Sequence, residues 1–164
     1  MPSIFLTTHK IANERGAACG RWIDPTVDDI AEALAAIGAE HGDPMAEEPM
    51  IADHEDWCGL NPEDFGLDAL PDLAALIEAD EDRVTVATEH YGAHYFRDVD
   101  GLREAVDNLS IYADADEMAE AHGVLDEIPE HLRFYFDTER WAHDATLNGD
   151  ASELADGRYV VAGR

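Results

Sequence analysis

The sequence predicts an α+β fold, and three observations carry that prediction. Segments rich in β-branched and aromatic residues cluster towards the two ends of the chain. Helical periodicity with capping residues fills the middle, and turn residues punctuate the elements at short intervals. With 164 residues, the chain has room for one ordinary domain or two or three very small ones.

Residues 3–9 read as a strand, Asn13-Glu14-Arg15-Gly16 as a turn, and Ala17 to Asp24 as the partner strand. Thr26 is the expected N-cap of a helix with Asp28 and Asp29 in its first turn, and Ile30, Leu34 and Ile37 continue it to Gly38. After a loop at Gly42-Asp43-Pro44, Met50 to Trp57 reads as a third strand through the alternation of Ile51, Asp53, Glu55 and Trp57. From Asn61 the period becomes helical. Asn61-Pro62-Glu63 and Leu70-Pro71-Asp72 are helix starts, with Leu73, Leu76 and Ile77 on one face. Val84, Val86 and His90 suggest another helix ending at Gly92, and Asp100 can cap Leu102 to Asn108. Leu109 to Ala113 reads as a strand, and Asp114 starts a helix ending near Gly123. Ile128-Pro129-Glu130 opens a helix with Leu132, Phe136 and Tyr135 inward. Thr138 to Asn148 forms the last helix, and residues 158–162 the final strand.

The charge pattern is the most unusual feature. Against 38 Asp and Glu stand 10 Lys and Arg, a formal charge of -28. The 61 residues between Arg21 and Arg83 hold 19 carboxylates and no Lys or Arg, so neither helical nor cross-strand ion pairs can form inside that block. Its carboxylates repel one another until salt or a cationic partner screens them. A basic DNA-binding face is excluded, because phosphate neutralisation needs Lys and Arg. The hydrophobic fraction of 46% is that of a globular chain, not of an acidic tail. No apolar run reaches spanning length and no secretory leader is evident, so no membrane is called for. Cys19 and Cys58 make no disulfide framework, and a reducing cytoplasm is expected. Composition alone leaves three readings open: a functional polyanion, adaptation to high salt, and the alanine- and Arg-rich bias of a GC-rich genome.

Chemistry finds no purchase. Asp114 and Asp116 open like a calcium loop, but Met118 and Ala119 stand where a ligand and a glycine are needed. His90 and His94 have zinc-clamp spacing, but Tyr91 replaces the protease glutamate and Gly92 interrupts the helix between them. Cys58 follows His54 by four residues without a nucleophile motif, and no phosphate loop exists. The expectation is no catalytic residue, no metal and no cofactor.

Several segments, taken in order, resemble the ArdA-type antirestriction proteins of mobile elements. They are Asn13 and Gly16 with Gly20-Arg21-Trp22-Ile23-Asp24, then Ile51-x-Asp53-x-Glu55-x-Trp57, and Glu89-His90-Tyr91-Gly92. Further along come Tyr112 to Glu120, Ile128-Pro129-Glu130-His131-Leu132, and Phe136-Asp137-Thr138-Glu139-Arg140-Trp141-Ala142-His143-Asp144. The resemblance departs around His94 to Asp98 and at the C-terminal tail. It implies an elongated chain of three small domains, at 1–60 (sheet plus helix), 61–108 (short helices) and 109–164 (mixed, dimerising). It also implies a non-catalytic DNA mimic whose carboxylates occupy the DNA groove of type I restriction-modification enzymes, on their specificity and modification subunits.

On that reading the partner-binding carboxylates of the first part are Asp24, Asp28, Asp29, Glu32, Glu40, Asp43, Glu47, Glu48, Asp53, Glu55 and Asp56. Those of the second are Glu63, Asp64, Asp68, Asp72, Glu78, Asp80, Glu81, Asp82 and Asp107, and those of the third Asp114, Asp116, Glu117, Glu120, Asp126 and Glu127. The aromatic supply of the last part places a homodimer interface at Phe134, Tyr135, Trp141, Tyr159 and Val161. The arithmetic agrees with mimicry: at one charge per 1.7 Å of duplex, 28 charges match about 48 Å of DNA. Two other readings remain: an acidic module for a different basic DNA-binding protein, and a salt-adapted protein whose acidity binds nothing.

Overall fold

The computed structural model describes residues 1–42 and 48–163. The expected loop at Asp43-Pro44 and the candidate carboxylates Asp43 and Glu47 lie outside the described residues. The fold is α+β, with two small antiparallel sheets flanking a helical middle.

The first sheet has the order β2-β1-β3. Strand β1 (Ser3–Thr8) alternates as expected, with Ile4 and Leu6 fully buried. The expected turn at Asn13–Gly16 is instead the end of a helix, α1 (His9–Arg15). The Thr8 hydroxyl accepts the Ile11 amide at 3.2 Å, and Gly16 closes the helix at a φ of 100°. Only Ile11 is buried along α1, so no apolar period announces it. Strand β2 (Arg21–Ile23) is shorter than the expected 17–24. Just before it, a Cβ on Gly20 would stand 2.4 Å from the Leu6 carbonyl oxygen, so only glycine lets the chain cross onto β1 there.

Helix α2 (Val27–His41) starts at Thr26 as expected, the Thr26 hydroxyl accepting the Asp29 amide. It runs past Gly38, which is buried within it, and stops at Gly42, whose left-handed backbone closes the last turn. Strand β3 (Pro49–Glu55) corrects the expected alternation. Leu6 pairs with Ile51 but Phe5 pairs with Asp53, so a bulge separates them and puts Ile51 inward and Asp53 on the opposite face. Trp57 beyond it is buried, its indole N–H donating to the Ser3 carbonyl at 2.8 Å.

Short 3-10 turns at Pro62–Asp64 and Leu67–Ala69 lead into α3 (Leu70–Ala79), which buries Leu70, Leu73, Ala74 and Ile77. Asp80 caps α4 (Glu81–Tyr91), whose end at Gly92 is as expected. Helix α5 (Val99–Asn108) begins earlier than Asp100 predicts, because Asp98 accepts the Gly101 amide at 2.7 Å and acts as the cap.

The second sheet, β4 (Leu109–Tyr112), β6 (Tyr159–Ala162) and β5 (Ser152–Glu153), has the order β4-β6-β5. Strand β5, two residues long, carries no sequence signal. Between β4 and β5 lie α6 (Ala115–Ala121), capped by Asp114, and α7 (Thr138–Asn148), capped by Asp137 and closed by Gly149. Glu130–Tyr135 forms a 3-10 turn, not the expected inward-facing helix: Leu132 and Tyr135 point outward and only Phe136 is half-buried.

This sheet is a partition. Leu109, Ile111, Val160 and Ala162 share one face and join a main core that extends back to Ile4. Tyr112, Tyr159 and Val161 share the other face and pack with Ala115, Met118, Trp141 and Ala142 in a second, smaller core.

Candidate functional site

Every described Asp and Glu is exposed: 36 carboxylates, the chain's 38 less Asp43 and Glu47. The elements explain how they are held outward. On α2, Asp28, Asp29, Glu32 and Glu40 fall within one third of the helix circumference, and the arc next to it carries the buried Ala33 and Ile37. On the first sheet, the bulge turns Asp53 onto the outer face beside Phe5 and Trp22, whose rings meet edge to face at 5.6 Å. Asp80 and Asp114 cap α4 and α6, while Glu81, Asp116 and Glu117 occupy their first turns. These acids are therefore favoured locally by the helix N-termini even though they repel one another.

Ion pairs divide the candidates into two sets. Glu40 faces Arg21 at 3.2 Å, Asp64 faces Arg97 at 3.7 Å, Asp80 faces Arg83 at 4.0 Å, and Asp126 faces Arg133 at 3.4 Å. Asp56 lies 3.8 Å from the N-terminal amine, and Asp82 is gripped by Arg158. Among the described residues, no cation lies within 4.0 Å of Asp24, Asp28, Asp29, Glu32, Glu48, Asp53, Glu55, Glu63, Asp68, Asp72, Glu78, Glu81, Asp107, Asp114, Asp116, Glu117, Glu120 or Glu127. Asp29 and Asp116 instead accept hydroxyls from Thr26 and Thr138.

The Arg158 contact was not read from the sequence. Its guanidinium forks onto both Asp82 oxygens at 2.8 and 2.9 Å and reaches Asp156 at 2.7 Å. Those bonds, to Asp82 first, push its pKa further up, while its backbone and side-chain donors hold the Asp156 carboxyl below the usual range. Next to Asp82, Arg83 donates to the Val106 and Leu109 carbonyls at 2.6 and 2.7 Å. The available signal was scarcity: with ten cations in 164 residues, each position is worth examining.

The aromatic candidates separate by exposure. Phe134 is 91% and Tyr135 79% exposed, with their rings edge to face at 5.7 Å. Trp141 and Val161 are half-buried, and Tyr159 lies inside the smaller core.

The chemical motifs are held apart. His94 lies in a 3-10 turn beyond Gly92, off the helix that carries His90, and no group of three metal-ligating side chains occurs among the described residues. Burial pushes the Cys58 thiol up, so it stays protonated near neutral pH. A cleft of about 660 Å³ between α4, α6, α7 and β6 is lined by His90, His122, Trp141, Asp144 and Asp150, with no Ser, Thr, Cys or Lys among its described lining residues. No described helix is long and apolar enough to cross a membrane.

A search of curated proteins finds no match. The model of the family described as Antirestriction protein (ArdA) matches residues 11–160, which run from within α1 through every later helix and strands β2 to β5 into the start of β6, leaving β1 outside. Residues 11–160 take in the bulged strand, the acidic α2, the Arg83 contacts and the exposed aromatic turn, and on that match the chain belongs to the ArdA family of antirestriction proteins.

Proposed function

We propose that this protein is a DNA mimic that occupies the DNA-binding groove of type I restriction-modification enzymes, engaging their specificity and modification subunits. It catalyses no reaction and needs no cofactor. The observation that carries this reading is the complete exposure of the described carboxylates, most of them without a cation within ion-pairing distance. Solubility alone is met by a net charge of about 2–8 in a small domain, far less than the cation-free block from Trp22 to Asp82 carries. A basic groove that normally neutralises phosphates gains the same counterion release from such a surface.

In this reading the chain works as three lengthwise parts, 1–60, 61–108 and 109–164, and as a homodimer joined through the last. Phe134 and Tyr135 are the centre of the dimer surface, because two adjacent exposed rings are costly in water unless a second copy covers them. The test is a competition assay with a purified type I methyltransferase and labelled target DNA. Release of the DNA at stoichiometric amounts of this protein supports the reading. If the DNA stays bound while a histone-like protein is released from its own DNA, the partner is a different basic protein.

A further inference from the structure

We infer that Arg158 is a positioning residue, pinning the C-terminal sheet to the first turn of α4 so that the carboxylates on either side of that junction meet a partner as one rigid array. The inference rests on the DNA-mimic reading and adds to it the residue on which the array's geometry depends.

The junction is gripped at two places from adjacent residues of one helix turn. Asp82 receives the Arg158 fork from the turn between β5 and β6, 76 positions along the chain. Arg83 reaches the carbonyls of Val106 and Leu109, where α5 gives way to β4. A forked guanidinium–carboxylate pair fixes direction as well as distance, which a single lysine contact cannot do. The Arg158 side chain is only 28% exposed, so screening by water is weaker than for the other arginine pairs. The placement also costs the mimic something: a cation in a chain this acidic cancels part of its field, and Asp82 and Asp156 would otherwise both face a partner.

That cost gives the test its sign. Arg158→Gln makes the chain more acidic by one charge and frees two carboxylates, so a protein acting only through its summed field should bind its partner slightly tighter. Loss of the pin predicts the opposite, because a sheet held on the main core by its buried face alone can rock there, and patches no longer fixed in register lose part of the advantage of simultaneous engagement, by about tenfold in affinity. The experiment compares the full-length parent with R158Q, R158K, D82N and D107N in the DNA-displacement assay, with small-angle scattering and circular dichroism on each. Among the described residues no cation lies within 4.0 Å of Asp107, so D107N serves as the reference for the loss of one exposed charge. The expected order is parent, then D107N, then R158K, with D82N and R158Q weakest and their distance distributions broadened while helix content holds.

Should R158Q unfold, R158K still decides: it keeps the charge without the fork and must still bind more weakly than D107N. Folded R158Q or D82N that displaces DNA as well as D107N does, with an unchanged scattering profile, overturns the inference. A parent that displaces no DNA overturns the mimic reading instead, and the scattering of R158Q then decides the pin alone.

Discussion

Between Arg21 and Arg83 nineteen carboxylates share the chain with no Lys or Arg, whereas from Leu109 to Gly163 the acids are interrupted by Arg133, Arg140 and Arg158. The two regions also differ beneath the surface. The acidic block rests on a core that includes Ile37, Ile51, Trp57, Leu60, Leu70, Leu73 and Ile77 and continues through the central helices. Among the described residues the second core buries Ala115, Met118, Ala142, Ala151 and Tyr159, and beside it Phe134 and Tyr135 stand in water. Net negative charge is concentrated where burial is deep enough to offset repulsion. Where the core is thin, arginines and an uncovered aromatic pair take over.

The largest expected effect attacks the support under the acidic block. Leu73→Ala removes a fully buried side chain and should cost about 2–5 kcal/mol, read by urea denaturation. If the comparison holds, that loss is felt most at low salt, where repulsion is greatest; equal destabilisation at low and high salt would break it. Next comes the uncovered pair. Phe134→Ser with Tyr135→Ser should leave a folded monomer, each ring contributing about 2 kcal/mol to association. Sedimentation showing an unchanged dimer would place the interface elsewhere.

Smaller effects test the surface itself. Converting Asp28, Asp29 and Glu32 to their amides should weaken partner binding by roughly 1–3 kcal/mol, while each single change costs at most about 1 kcal/mol. One exposed acid whose loss alone abolished inhibition, with folding intact, would point to an enzyme-like site and end the distributed account. Raising salt to about 0.5 M should lift the melting temperature of the free protein and weaken its inhibition, because the same screening acts on both. A melting temperature indifferent to salt would mean that the acidic block carries no repulsion worth relieving.

Much of this comparison was legible in the sequence, for reasons that can be named. The charge block needs only counting, and α2, α4, α6 and α7 announce themselves through caps, stops and apolar spacing at Thr26, Gly92, Asp114 and Gly149. Helix α1 was missed because seven residues with one buried side chain show no period. The bulge in β3 was missed because regular alternation cannot reveal an inserted residue; it is a property of the pairing with Phe5 and Leu6. Leu132 and Tyr135 were read inward on a helical period, but a 3-10 turn has a different repeat and faces both outward. The Arg158–Asp82 fork joins residues 76 apart, and no local pattern encodes such a contact.

The smallest effect concerns His90, where the central helices meet the smaller core. Its Nδ1 is sealed from solvent without a hydrogen-bond partner, and burial lowers its pKa below 6.5, so the folded protein holds it neutral. Tyr91 packs edge-on against the ring at 4.5 Å, and His122, Asp144 and Asp150 line the cleft beside it. The unfolded chain takes up a proton at that imidazole before the folded protein does. The stability this group contributes is therefore complete above about 6.5 and is lost as the pH falls through 6.5 towards the folded value. Acid also relieves repulsion among the carboxylates, which works the other way, so the parent alone cannot isolate the histidine. His90→Gln removes the titration and leaves the carboxylates untouched. Melting curves between about pH 7.5 and 5.5 should therefore show the variant losing less, or gaining more, stability than the parent. Parallel curves would mean that the imidazole finds a partner when charged, most simply the carboxylates across the cleft, and that the thin core tolerates a buried cation after all.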